Sequence, residues 1–274
     1  MSPGGAAPDR LRIATWNLNS LRARLPALER FLQRTVPDVV CVQETKTADP
    51  VAAARTMFEG LGYRFSHVGA GPYNGVGILS RGAVREVVGS GAFGDEHLDR
   101  EPRLIAALVA TPEPVRVASV YVPHGREVGH WHYDYKLAFL DALAVQVRRW
   151  LAAGTPVVLA GDINVAATDA DVFHPDAFAG ATHVTPAERA AWSALLGAGL
   201  VDLDAVRWGP RARRFTWWKP GHGYATNLGM RIDVIAADET LRARLDTTWI
   251  DHVERGADRP SDHAALIADF HRPG

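Results

Sequence analysis

An aspartate and an asparagine two residues apart, Asp162 and Asn164, follow the apolar run Val157-Val158-Leu159-Ala160 and Gly161. Four apolar residues after Pro156 read as a strand covered on both faces, because such strands lack apolar–polar alternation. Side chains at i and i+2 just past a strand's end point to the same side. A carboxylate able to take a proton and a carboxamide able to donate hydrogen bonds therefore face one space. Together they can hold and activate a water beside a phosphate. Asp and Asn are also ordinary turn residues, so the weight comes from five further segments built alike. These are Thr15-Trp16-Asn17-Leu18-Asn19, Val42-Gln43-Glu44-Thr45-Lys46, Tyr121-Val122-Pro123, Gly229-Met230-Arg231-Ile232-Asp233 and Ser261-Asp262-His263.

Each segment adjoins a strand-like run that would position it: Leu11 to Thr15, Val39 to Val42, Val115 to Val120 and Ile232 to Ala236. Helical patterns alternate with these runs. Pro26 to Arg34 presents Leu28, Phe31 and Leu32 on one face, and Lys136 to Leu151 carries Leu137, Leu140, Ala144, Val147 and Leu151 at helical spacing. Thr185-Pro186-Ala187-Glu188 reads as an N-cap, a proline at the first helical position and a capping-box glutamate. Strands mixed with helices, without an internal linker or repeat, give one α/β domain over 11–274 behind a short disordered tail, 1–10. A chain of 274 residues with 47% hydrophobic residues builds a core without staples. Cys41 is the single cysteine; it sits inside an apolar run and reads as a small buried hydrophobe. Neither a secretory signal nor a membrane span is visible, so the expected location is the cytoplasm. The net charge of −1 gives no global support for nucleic-acid binding. Placement matters instead: Arg22, Arg24 and the run Arg211 to Arg214 can make local phosphate-facing patches.

Taken in this order, the six segments resemble the exodeoxyribonuclease III family of apurinic/apyrimidinic endonucleases, within the endonuclease/exonuclease/phosphatase superfamily. Asn19-Ser20-Leu21-Arg22-Ala23-Arg24, Asn74-Gly75-Val76-Gly77-Ile78, Tyr133-Asp134-Tyr135-Lys136-Leu137 and Phe215-Thr216-Trp217-Trp218 extend the match over roughly Leu11 to Phe270. The resemblance implies a DNase I-like fold: two packed mixed β-sheets flanked by helices in a four-layer α/β sandwich. It also implies Mg²⁺, with Mn²⁺ as a substitute, and duplex DNA with abasic sites or 3′ ends as the partner of a monomer that needs no membrane. Three positions depart from the family pattern: His124 after Tyr121-Val122-Pro123, Lys219-Pro220 after Trp218, and Ala265 after Asp262-His263-Ala264.

Phosphodiester hydrolysis needs a hard cation with oxygen ligands to neutralise developing charge, and Mg²⁺ uses only one or two protein carboxylates. Glu44 is the natural first ligand; Asn17, Asp162, Asn164, Asp262 and His263 complete the metal-facing set that the resemblance implies. Asp162 is the candidate to deprotonate the attacking water. Asn164 and Tyr121 would donate hydrogen bonds to water or phosphate, and His263 would donate to a non-bridging oxygen. The pairing of Asp233 with His263 is carried by the resemblance. For substrate contact the candidates are Arg22, Lys46, His124 and Arg126 on phosphates, with Trp217, Met230 and Ile232 walling a pocket for a base-free sugar. Ser261 next to Asp262-His263 does not make a covalent triad, so direct attack by water is expected. The expected activity is incision 5′ to abasic sites and removal of 3′ nucleotides or blocking groups. The alternative is a phosphoesterase of the same superfamily acting on phosphoinositide or phospholipid head groups, since one fold serves both.

Overall fold

The computed structural model describes residues 10–50, 52–89, 91–111 and 113–272. Its strands, in chain order, are β1 (Arg10–Asn17), β2 (Val39–Gln43), β3 (Arg64–Val68), β4 (Val76–Ser80), β5 (Val84–Val88), β6 (Leu104–Val109) and β7 (Val115–Tyr121). They continue as β8 (Val157–Asp162), β9 (Val201–Asp202), β10 (Trp217–Trp218), β11 (Gly229–Met230), β12 (Asp233–Ala237), β13 (Leu245–Asp251) and β14 (Ala265–His271). The helices are α1 (Leu21–Thr35), α2 (Ala52–Gly60), α3 (Trp131–Ala152), α4 (Pro186–Leu196), α5 (Leu203–Trp208) and α6 (Glu239–Arg242).

Two six-stranded mixed sheets result, in the orders β13-β14-β1-β2-β4-β3 and β5-β6-β7-β8-β12-β9, with β10 and β11 paired in a small separate ribbon. Within the first sheet only β1 and β2 run parallel, and within the second only β7 and β8. The strands that carry the polar segments are thus central, and as expected they are apolar on both faces. One face of each sheet packs on the other through Ile13, Val39, Cys41 and Ile78 against Ile105, Val117, Val158 and Ile235. The outer face of the first sheet meets Leu28, Phe31 and Phe58 of α1 and α2, and that of the second meets Phe139, Leu143 and Trp192 of α3 and α4. This is the four-layer sandwich that the resemblance implies. Burial in the inter-sheet layer pushes the Cys41 thiol up to about 12, which leaves it an inert hydrophobe.

Three expectations about elements need correction. Arg10, expected in the tail, begins β1 and pairs with His271; the rest of the expected tail lies outside the described residues. The helix expected from Pro26 begins at Leu21, with Pro26 inside it. Ser20 caps it by accepting from the Ala23 N–H, and the Ser20 and Leu21 amides donate to Glu44 and Thr45 carbonyls. Those anchors fix the first turn, and the proline forfeits one backbone bond within it. Helix α3 starts at Trp131, five residues before the apolar stripe at Lys136, because His130 Nδ1 accepts from the His132 amide at its N-terminus. The capping box at Thr185 and Glu188 forms as read.

Candidate active site

Strand register brings the polar segments together. Tyr121 pairs with Asp162 across β7 and β8, and Asp233 pairs with Asp162 across β12 and β8, so three of the candidate residues lie abreast at the ends of adjacent strands. Gly161 permits the close approach: a Cβ there would lie 1.9 Å from the Val120 carbonyl oxygen. From the facing sheet, β1 and β2 end side by side and deliver Asn17 and Glu44. Gln43 ties the two sheets at this point by donating to Ser119 Oγ at 3.1 Å. Glu44, Lys46 and Asn164 all take left-handed backbone conformations, with φ of 49°, 52° and 51°, uncommon for residues with a side chain. The Ser261-Asp262-His263 segment is clamped from several sides. Ser261 Oγ donates to the Asn17 carbonyl at 2.7 Å, Trp16 Nε1 donates to the His263 carbonyl at 3.2 Å, and the Trp218 amide donates to that of Asp262.

His263 Nδ1 lies 2.8 Å from Asp233 Oδ2, both fully enclosed. Burial opposes charge on the imidazole, yet Asp233, assisted by Asp162 and Asp262, lifts its pKa to about 10. The ring is therefore an imidazolium, with Nε2 donating on the cavity side 3.8 Å from Asp162 Oδ2. Burial pushes Asp162 in the other direction, up to about 7, with Asp233 and Glu44 adding like charge. Asp162 accepts from Asn17 Nδ2 at 2.9 Å and from the Asn164 amide at 3.0 Å. Burial would also raise Glu44, but Lys46 Nζ at 2.8 Å and Asn17 Nδ2 at 2.8 Å hold its carboxyl below the ordinary value. The Tyr121 phenol is driven well above its usual range by burial and by the Glu44 and Asp162 charges, so it remains a hydrogen-bond donor.

Glu44, Asp162 and His263 each place a potential donor atom within 4.8 Å of the others. With His263 Nδ1 engaged by Asp233 and the ring favoured in its charged form, the oxygens of Glu44 and Asp162 are the better ligands of the three. Crowded carboxylates with too little positive charge fit a hard cation. The other residues expected to face a metal use their atoms differently. Asn17 turns its N–H groups to the two carboxylates and accepts the Asn19 amide with its oxygen. Asn164 donates to the Val122 carbonyl and accepts from His183 Nε2 at 3.0 Å. Asp262 accepts from Asn19 Nδ2 and from Trp217 Nε1, each at 3.0 Å.

These groups open on a cavity of about 370 Å³ lined by Glu44, Tyr121, His124, Asp162, Asn164, Asp262 and His263 on its polar side. Trp217, Met230 and Ile232 form its apolar wall. Trp217 is partly exposed, whereas Trp218 is buried against Phe215 and Ala264 and belongs to the core. His124 Nδ1 accepts from the Arg126 amide. Burial and the Lys136 charge lower the His124 pKa, so a neutral ring keeps Nε2–H as its donor. Arg22 and Arg126 are exposed and line no part of the cavity. Lys46 reaches it through Glu44 and Asn19.

Sequence reasoning missed the rest of the lining, Phe178, Ala181, Thr182 and His183, which belongs to no regular strand and showed no periodic signal; Phe178 packs with Trp217, Met230 and Ile232. It also missed the support beneath it. Lys136, fully buried, pairs with Glu188 and donates to the Asn164 carbonyl at 2.6 Å. Glu188 further accepts from Thr182 and the His183 amide. The capping-box glutamate thus also fixes the cavity wall, and a buried lysine fixes Asn164.

A profile of the Endonuclease/Exonuclease/phosphatase family matches residues 14–263. The exodeoxyribonuclease III of Haemophilus influenzae is 30% identical over 270 residues, covering 95% of this chain and 100% of that protein. A 3′-5′ exonuclease structure from Neisseria meningitidis superposes with a TM-score of 0.88 at 32% identity, over 96% of this chain and 100% of the other. An AP endonuclease structure from Archaeoglobus fulgidus gives 0.86 at 32% identity, over 95% and 99%. On this family match and this identity, the chain belongs to the endonuclease/exonuclease/phosphatase family, on its exodeoxyribonuclease III branch.

Proposed function

We propose that this protein is a Mg²⁺-dependent DNA repair phosphodiesterase, with Mn²⁺ able to substitute. It cleaves duplex DNA 5′ to abasic sites and removes nucleotides or blocking groups from 3′ ends. The observation that carries the reading is one cavity in which buried Asp162, the Asp233–His263 pair and Glu44 face an apolar wall of Trp217, Met230 and Ile232. The names of its relatives, an exodeoxyribonuclease III, a 3′-5′ exonuclease and an AP endonuclease, support the same chemistry. A monomer in the cytoplasm is the working form we infer; no helix of the described residues is long and apolar enough to cross a membrane.

Glu44 and Asp162 would hold the cation, which supplies charge neutralisation at the phosphate. Asp162 takes the proton of the attacking water, for which it must be in its charged form. The Asn164 amide group steadies that water. As the water oxygen adds to phosphorus, the opposite bond to the 3′ ester oxygen breaks and that oxygen leaves, taking a proton from solvent. The negative charge that grows on the non-bridging oxygens meanwhile faces His263 Nε2–H and the Tyr121 hydroxyl, which donate to it. Donors fixed in advance by Asp233 and by strand register cost no reorganisation as that charge develops. Asp233 keeps the imidazole charged and correctly turned.

The test is a side-by-side rate measurement on an abasic duplex, an undamaged duplex, a 3′-phosphate duplex and an inositol phosphate, with Mg²⁺, Mn²⁺ or EDTA. Hydrolysis confined to the DNA substrates and abolished by EDTA is expected, with Glu44→Gln demanding more metal for a lower rate. Full-rate hydrolysis of abasic DNA in EDTA, or a preference for the inositol phosphate, would overturn the assignment.

A further inference from the structure

The arginine run that the sequence exposes does not line the catalytic cavity. Arg207 lies in the last turn of α5, and Arg211, Arg213 and Arg214 lie between α5 and β10; together they surround a different feature. Trp208, 44% exposed, is anchored by its Nε1 donating to Thr248 Oγ1 at 2.8 Å. The guanidinium carbons of Arg207 and Arg214 lie 4.6 and 4.5 Å from the Trp208 ring centre. Arg213 sits over Phe215 at 5.4 Å and is tied to the Val172 and Phe173 carbonyls. A second cavity, about 480 Å³, runs between Arg213, Arg214, Trp208 and Trp218. The ribbon strand β10 separates the two cavities, Trp217 facing the catalytic one and Trp218 this one.

Charge on this segment is poorly compensated. Arg214 Nε bonds Asp204 at 3.1 Å, but its Nη2 is buried with no partner. Among the described residues, Arg207, Arg211 and Arg213 have no carboxylate partner. On a chain of net charge −1, such a concentration of unpaired cations marks one place on the surface. Aromatic rings hold the guanidiniums in fixed planes, which lowers the entropy lost when they clamp an anion, and their forks match phosphate oxygens. The rings already carry arginines, so they offer little free face for a nucleobase.

We propose that Arg207, Arg211, Arg213 and Arg214, set around Trp208 and Phe215, form a second phosphate-binding patch. It grips the backbone of DNA flanking the reacting nucleotide, on the far side of the β10–β11 ribbon from the catalytic cavity. The proposal rests on the nuclease reading for the identity of its polyanion and deepens it. Such a patch holds the duplex in register without reading sequence.

The test measures binding in EDTA, apart from cleavage, with Arg207→Gln/Arg211→Gln; both residues are exposed, so the fold should tolerate the change. Each lost phosphate contact lowers the slope of log affinity against log salt by about 0.9. For two contacts, the loss of affinity between about 50 and 200 mM salt should be roughly tenfold smaller in the variant than in the wild type. Charge reversal to glutamate at both sites should reduce low-salt affinity further. The wild type's preference for a long duplex over one trimmed to the catalytic footprint should shrink in the variant. An unchanged salt slope on the long duplex overturns the patch, and so does equal weakening on long and trimmed duplexes. A wild type that binds DNA but cleaves none of it refutes the nuclease reading instead, and the slope comparison still decides the patch.

Discussion

Replacing Asp233 by Asn tests whether His263, the proposed donor to the phosphate, works as a cation. The change keeps the side-chain shape and the backbone bond from the Asp233 amide to Thr216 Oγ1, but removes the charge 2.8 Å from His263 Nδ1. That charge lifts His263 to about 10 against the opposing effect of burial. Without it, burial is opposed only by the Asp162 and Asp262 charges, so the pKa falls, and the ordinary value of 6.5 serves as the reference for the variant. At pH 8.5 about one variant molecule in a hundred then carries the imidazolium, against about one half at pH 6.5, while the wild type is charged at both. Asp162 loses one like charge from its surroundings and one opposite charge, so its own titration changes little. The single-turnover rate ratio of wild type to Asp233→Asn should therefore grow by about fiftyfold from pH 6.5 to 8.5, beyond a baseline loss on the order of 10²-fold for a weakened donor. Stability gives an independent check. A histidine with a raised pKa contributes fully below the unfolded value and loses that contribution as pH rises through the folded one. The melting-temperature gap between the proteins should be widest near pH 6 and close toward pH 10. A rate ratio independent of pH would refute the reasoning.

Asp162→Asn should slow turnover by about 10²–10⁴-fold. It should also stabilise the metal-free protein, because a buried acid raised to about 7 costs stability as pH climbs from about 4 to 7; thermal melts in EDTA should show the gain at pH 7.5 and not at pH 4, and a gain equal at both would sink the account. Lys136→Met leaves Glu188 buried without its cation and should cost about 3–5 kcal/mol in denaturant unfolding. Adding Glu188→Gln should recover part of that loss, and strict additivity would remove the coupling. Trp217→Ala should mainly erode the ratio of incision rates on abasic and intact duplexes, measured at one salt concentration. Equal loss on both substrates would make Trp217 a packing residue.

Much of the sheet framework was legible because its central strands are uninterrupted apolar runs. Val157 to Ala160 and Val39 to Val42 read as strands buried on both faces, which they are, and each ends where a polar segment begins. Periodicity says nothing about which strands are neighbours, so the Asp233–Asp162–Tyr121 alignment appears only in the strand register, and the Asp233–His263 pairing was an expectation from family resemblance alone. Pro26 misled the reading of α1, since the anchors that start that helix at Leu21 are carbonyls of the distant residues Glu44 and Thr45. Residues 178–183 were illegible for a related reason. That wall is held by Glu188 and Lys136, which in sequence read as a helix cap and one more basic residue.

The arrangement explains why this site needs a cation for more than chemistry. Three carboxylates, Glu44, Asp162 and Asp233, crowd the ends of three strands, β2, β8 and β12, and Lys46 and His263 are the side-chain cations paired with them. Asp233 Oδ1 is left buried without a partner, and Asp162 is driven toward neutrality. Nothing in the apolar inter-sheet core requires this concentration of acid, and an unpaired buried carboxylate is unfavourable to folding. A divalent ion held by Glu44 and Asp162 would return Asp162 to its charged form and release a proton, so metal affinity should rise with pH across the range where Asp162 titrates. The same ion would leave Asp233 to His263 alone. The fold thus stores, as an excess of buried negative charge, the electrostatic environment that hydrolysis of a phosphodiester requires. The apolar strands supply the stability that offsets it.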